Sequence, residues 1–225
     1  MQKYNCPSCS AEIVFQSRIS ATCVCPYCSS LVVRHDTELE SIGKMAQLPE
    51  DISPFQIDTI GVYKGLAFRI IGRLKMAWQD GYWNEWFLYF DDAKKAWLAE
   101  AQGSLAIIFE EYLSPEEAKA KFGKAPKLNS KLLISGTTYT VSDLKESYCI
   151  GSEGELPFAA PRGRNVKGID LIAGNSKFAG IEYCDGEPPS VFTGQYVEFD
   201  DLSFNHLREL EGWKMPSSKS KVKKA

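Results

Sequence analysis

Histidine is nearly absent from this 225-residue sequence: only His35 and His206 occur, and neither sits in a motif. Nucleophile triads built on an imidazole base, and the H-E-x-x-H metal pattern, have nothing to stand on. A P-loop, a G-x-G-x-x-G turn after a strand and a serine nucleophile elbow are missing too, which removes the common nucleotide-binding and hydrolase readings. No run approaches 18 consecutive apolar residues, so no membrane-spanning helix is expected. The opening MQKYNCPSC lacks the apolar stretch of a secretory signal, and a cytoplasmic protein is expected.

The composition that remains is that of a globular protein, 44% hydrophobic and 24% charged. Its length admits one large domain, or a medium one with a small companion. Seven cysteines are an odd number. In a reducing compartment such a set reads as metal ligands and free thiols rather than a disulfide framework.

Four of the seven form a pattern. Cys6-Pro-Ser-Cys9 and Cys25-Pro-Tyr-Cys28 make two C-x2-C pairs separated by fifteen residues, the spacing of a four-thiolate zinc site. Two residues between thiolates let one tight turn present both sulfurs to one ion, and a second turn completes the tetrahedron. The short β-rich segments around the pairs resemble a zinc ribbon over residues 4 to 34. Four thiolates leave no open coordination position, so the metal is expected to be structural. A segment this short needs it to fold. Iron in a rubredoxin-like site is the alternative, and a redox role for either pair is disfavoured by their tandem arrangement without a βαβ pattern. Cys23, two residues from Cys25, is badly placed for the turn and is expected to be a non-ligand. Cys149 and Cys184 fall in or beside β segments and read as packed thiols.

Charge divides the chain unevenly. The last twelve residues hold five lysines and no acid, which leaves 21 basic against 29 acidic residues in the first 213, a balance of −8. Such a body argues against broad phosphate binding, so nucleic acid is not the expected partner. The basic tail, residues 213–225, reads as a disordered terminus; its Lys219, Lys221, Lys223 and Lys224 are candidates for contact with an anionic partner.

The fold class expected is mainly β: the ribbon, then an antiparallel β sandwich or a pair of small barrels, with one or two short helices. Residues 35–54 read as a linker, with one helical turn near Glu38 to Met45. The domain of residues 55–212 shows period-two alternation at Leu66 to Trp78, and Asp80-Gly81 supplies a hairpin turn into YWNEWFLYF. Ser114, Pro115, Glu116 and Glu117 signal a helix that ends at Gly123. Further strands are expected at 132–134, 138–141, 169–172, 178–184 and 196–199, with a long loop over 151–168. A glycine-led strand recurs at Gly65 and Gly136, which suggests two related units, 55–112 and 130–200.

A two-residue Asp80-Gly81 turn places Trp78 opposite Trp83, Met76 opposite Glu85 and Lys75 opposite Trp86. Glu85 then shares an apolar face with Leu74, Trp78, Trp83 and Phe87, where a carboxylate needs a donor or a shifted pKa. Trp78, Trp83, Glu85 and Trp86 are the candidate partner-binding residues, since tryptophans are favoured at binding hot spots. The competing reading buries the aromatics as core and ties Glu85 to Arg69, Arg73 or backbone.

The segments YWNEW, FDDAKKAWLAEA and GSEGELPF resemble those of an uncharacterised bacterial domain-of-unknown-function family, over roughly residues 55 to 210, whose members carry a CPxC zinc ribbon in front. In that family the genes often neighbour polyamine-pathway enzymes, small membrane proteins and relatives of phage-shock protein A. The resemblance implies a component of a membrane-associated stress or modification system, peripheral to the inner membrane. It implies no catalytic residues. The leading functional expectation is a non-catalytic zinc-binding adaptor for partner proteins, with no evident small-molecule substrate. The alternatives are a nucleic-acid-binding zinc-ribbon protein and an enzyme using Glu85, Glu100, Asp170 and Glu182, which would require carboxylates to converge in a cleft.

Overall fold

The computed structural model describes residues 2–212, apart from Thr37, Gln47, Pro49 and Glu50. The basic tail and its candidate lysines lie outside the described residues. The fold is mainly β, with a single short α-helix among them. The ribbon comprises β1 (Gln2–Asn5), β2 (Glu12–Phe15), β3 (Thr22–Val24), β4 (Ser30–Arg34) and β5 (Leu39–Lys44). The stretch expected as a linker with a helical turn is thus in part a strand, because Leu39 buries against the ribbon core and β5 pairs antiparallel with β4.

The larger domain is two five-strand meanders. The first holds β6 (Ile60–Tyr63), β7 (Leu66–Trp78), β8 (Gly81–Phe90), β9 (Lys95–Ala101) and β10 (Ser104–Glu110); the second holds β11 (Lys131–Ile134), β12 (Thr137–Leu156), β13 (Asn165–Ala173), β14 (Lys177–Tyr183) and β15 (Ser190–Val197). Each starts with a short strand that turns through a residue and a glycine, both with positive φ, into a long one: Lys64-Gly65 and Ser135-Gly136. The α-helix, α1 (Pro115–Phe122), lies between the meanders and has the anticipated N-terminus: Ser114 and Glu117 form a reciprocal capping box behind Pro115.

The meanders close on each other. Their long strands pair as β7 with β12 and their last strands as β10 with β15, all antiparallel, giving the ring β7-β8-β9-β10-β15-β14-β13-β12. Closure into an eight-stranded barrel removes the exposed sheet edges that a sandwich would keep. At the β7–β12 seam, a Cβ on Gly72 would stand 1.8 Å from the Glu155 carbonyl oxygen, so only glycine permits this approach. Between β12 and β13 only residues 157–164 are irregular, and the expected long loop over 151–168 is mostly strand.

Two apolar layers surround the ring. One packs Phe55, Phe68, Trp86 and Phe90 beneath Phe199 and Phe204; the other lays Phe122 of α1 on Tyr139, Val141, Ile169 and Ile181. The ribbon joins the barrel through β3, which extends the sheet along the end of β12 with Cys23 opposite Glu155 and Thr22 opposite Leu156.

Candidate functional site

Side chains alternate along each strand, so every ring strand sends half of them inward. All eight line a cavity of about 420 Å³. It exists because inward positions on β9, β10, β13 and β14 hold Ala99, Ala101, Ala106, Gly168 and Gly180, too small to fill the bore. Toward one end the bore is packed solid by Leu74, Phe87, Trp97, Cys149, Leu156 and Ala160, with Phe87 and Trp97 ring centroids 4.9 Å apart and Phe158 beside them. Leu156 and Thr22 are strand partners, so this is the end to which the ribbon attaches. The open end is rimmed by Tyr82, Gln102 and Tyr196.

Three carboxylates face the cavity: Glu85 from β8, Asp170 from β13 and Glu182 from β14. Burial raises Glu85 above the usual carboxylate range and Asp170 adds to the rise, while the hydrogen bond from Trp83 opposes it. Burial, followed by the charge of Glu85, pushes Glu182 up to about 8. Among the described residues no hydrogen bond or ion pair reaches the Glu182 carboxylate, which is half-buried in the cavity wall. Burial also raises Asp170, partly offset by Lys145.

The nearby cations are already engaged. Lys145 Nζ pairs with Asp143 at 2.5 Å and with Asp170 at 3.7 Å, and lies 5.2 Å from the centroid of the Trp78 ring. Arg164 bonds Glu187 at 3.0 Å and stacks over Phe158. The lumen is therefore aromatic and acidic, with Glu182 its carboxyl group without a partner among the described residues. The thiols beside it are not poised for attack: burial raises Cys149, and it pushes Cys184 up to about 11.

Of the residues singled out from sequence, Trp78, Trp83 and Glu85 meet in the lumen. Trp86 does not: it is 1% exposed on the opposite face of β8, in the outer core, where its Nε1 donates to Glu100 at 3.0 Å. Glu100 accordingly stays outside the group formed by Glu85, Asp170 and Glu182. The hairpin turn is Gln79-Asp80 instead of Asp80-Gly81. Trp78 pairs with Gly81, Met76 with Trp83, Leu74 with Glu85 and Lys75 with Asn84. The slip moves each partner by two residues, so the faces are those expected although the pairs are not. Glu85 takes its donor from Trp83; Arg69 bonds Asp58, and Arg73 bonds Asp51 and Asn84.

Lys145 and Arg164 were not foreseen. In Asp143-Leu144-Lys145 it is Lys145 that lines the cavity while Leu144 is exposed, the reverse of the pattern that marks a buried face. Asp51 was also missed. Its side chain, 3% exposed, gathers Arg73, Lys75 at 2.9 Å, Asn84 at 3.2 Å and Arg208 at 3.2 Å, and ties the segment before β6 to β7, β8 and the C-terminal stretch.

The ribbon forms a second candidate site. The sulfurs of Cys6, Cys9, Cys25 and Cys28 all lie within 4.8 Å of one another. Cys6 and Cys28 are 3.7 Å apart, and Cys9 and Cys25 3.8 Å. A tetrahedron with metal–sulfur bonds of about 2.3 Å has edges of about 3.8 Å, so the four residues fit one ion. The two turns repeat one backbone design: Cys6 and Cys25 each accept from the residue four along, Ser10 and Ser29, and both serines have positive φ. Cys23 stands outside this set, its thiol directed at the Val24 carbonyl.

Among the described residues, no helix is long and apolar enough to cross a membrane. A family model described as a domain of unknown function (DUF4178) matches residues 56–199, which contain the whole barrel. No curated protein and no solved structure matches the chain.

Proposed function

This chain belongs to the DUF4178 family, and we propose that its barrel is the binding module of a non-catalytic, zinc-stapled adaptor. The observation that carries this reading is the closed ring around a cavity, packed shut at the ribbon end and open at the other. Cavities of this size lined by aromatic walls and a few polar groups are ligand sites far more often than voids. The ribbon supplies a rigid base. A four-thiolate zinc would close the Cys6, Cys9, Cys25 and Cys28 set without a position for substrate, so its part is mechanical. Tyr27, 71% exposed on the second cysteine turn, offers a partner protein an aromatic contact, and the expected partners are proteins, membrane-associated ones included.

A tagged pull-down from native cells tests the adaptor role. Enrichment of defined proteins, lost on Tyr27→Ala, supports it; recovery of RNA alone would sink it. Metal analysis of the purified protein should give about one zinc per chain.

One observation favours a second reading. Glu182, held at about 8 beside Glu85, has the protonation range of a general acid. Mass spectrometry of a retained ligand separates the two: recovery unchanged after long incubation supports binding, whereas conversion supports catalysis.

A further inference from the structure

We propose that the barrel lumen captures a small organic ammonium ion, held by Glu182 and Glu85 beside the rings of Trp78 and Trp83. The inference rests on the reading of the barrel as a binding module and names the chemistry of its ligand. Three features of the cavity support it. Lys145 in its wall and Arg164 nearby are each paired with a carboxylate, while Glu182 faces the cavity without a partner among the described residues. An ammonium group would supply the missing charge and the missing N–H donors at once. The ring of Trp78 already has the Lys145 ammonium within cation–π range, so the wall suits positive charge. Small inward residues, Ala99, Ala101 and Gly180, leave room for a short apolar body behind the charged head.

An anion is a poor fit, because three carboxyl groups line the lumen and Lys145 and Arg164 are each already paired with a carboxylate. A neutral ligand is the serious competitor, since protonated Glu182 can donate to a carbonyl or hydroxyl. The two differ in their linkage to protons. Glu182 must lose its proton to hold an ammonium, against the charges of Glu85, Asp170 and Glu110 and with the help of Arg164. Asp170 is in turn raised by burial and by the like charge of Asp143, against the attraction of Lys145. Capture of a cation therefore releases a proton and tightens as pH rises; capture of a neutral hydrogen-bond acceptor weakens.

The test titrates the full-length, metal-loaded protein with butylammonium, butanol and butyrate, followed by tryptophan fluorescence and calorimetry. Butylammonium should bind at least about tenfold more tightly than either control, and should tighten about tenfold between roughly pH 6.5 and pH 9 with release of close to one proton. Glu182→Gln, which keeps the shape and removes the charge, should lose about tenfold in affinity and most of the pH dependence. Should that variant not fold, Glu85→Gln and the wild-type pH series carry the same comparison. Equal binding of butanol, or a Glu182→Gln variant that matches wild type, overturns the ammonium assignment while leaving the binding module standing. Exclusion of all three probes and of a neutral apolar dye overturns both.

Discussion

The indole Nε1 of Trp83 donates a 2.8 Å hydrogen bond to Oε1 of Glu85, two residues along the same strand. Period-two geometry puts both side chains in the lumen, so one strand supplies a carboxylate together with its donor. This bond works against burial, which raises Glu85.

Trp83→Phe keeps a ring and removes the donor. Glu85 should then titrate higher, and stability should fall by about 1 kcal/mol. Carbon-detected NMR of labelled glutamates reads the titration midpoint directly. An unchanged midpoint would show that the hydrogen bond does not hold the carboxylate down.

Glu182 makes the barrel sensitive to alkali. Its pKa in the fold, about 8, lies above the ordinary 4.5, so the folded state binds this proton more tightly than the unfolded chain does. The associated stability is complete below 4.5 and is lost as pH rises through about 8. Glu182→Gln removes that loss. At alkaline pH the variant should melt higher than wild type by at least about 2–4 °C, and the difference should vanish below 4.5, where both side chains are neutral. Parallel melting curves at every pH would refute the assignment.

How much of this was legible beforehand follows from the range over which each signal acts. The metal set was readable because both turns are local: each C-x2-C pair is made by neighbours in sequence. The capped helix was local too, and so were the alternating faces of β7 and β8. Ring closure was not, because it depends on Gly72 of β7 meeting Gly154 of β12, a contact between residues 82 positions apart. The lumen inherited that blindness. Glu85 could be flagged as a carboxylate on an apolar face, but only closure shows that Glu182 and Asp170 come from the far side of the same cavity. Alternation already set Trp83 and Trp86 on opposite faces of β8, but only ring closure shows that the Trp83 face becomes the lumen and the Trp86 face the outer core. Asp51 lay in a stretch without period or motif, and its partners arrive from three separate segments.

The metal is expected to stabilise more than the ribbon. β3 continues the sheet at the end of β12, and the Glu155 carboxylate accepts from the backbone N–H groups of Gln16 at 2.6 Å and Ser17 at 3.2 Å. Loss of the ion should therefore loosen the packed end of the barrel. Cys6→Ser should abolish stoichiometric metal and lower Tm by about 5 °C or more, while Cys23→Ser retains the metal. Hydrogen exchange adds a spatial readout: on chelation, amides near Leu156 should exchange faster and those near Ile169 should not. Unchanged exchange at Leu156 would make the ribbon an independent appendage.

Asp51 should be the most damaging single polar position in the domain. Burial opposes its charge, but the hydrogen bond from Lys75 and the positive charges of Arg73 and Lys75 outweigh it and hold the carboxyl at about 2. Asp51→Asn leaves Arg73 and Lys75, whose side chains are 6% and 1% exposed, without their shared anion. Breaking a buried pair from one side costs about 3–5 kcal/mol, a large share of the stability of a domain this size. The pH signature has the opposite sign to that of Glu182. With the folded value depressed, the contribution is complete above 3.8 and disappears as pH falls through about 2. Urea unfolding at neutral pH should show the full loss for Asp51→Asn, and the gap to wild type should narrow as both are taken toward the acid end. A variant that unfolds at the wild-type urea midpoint at neutral pH would mean that the cluster contributes nothing net.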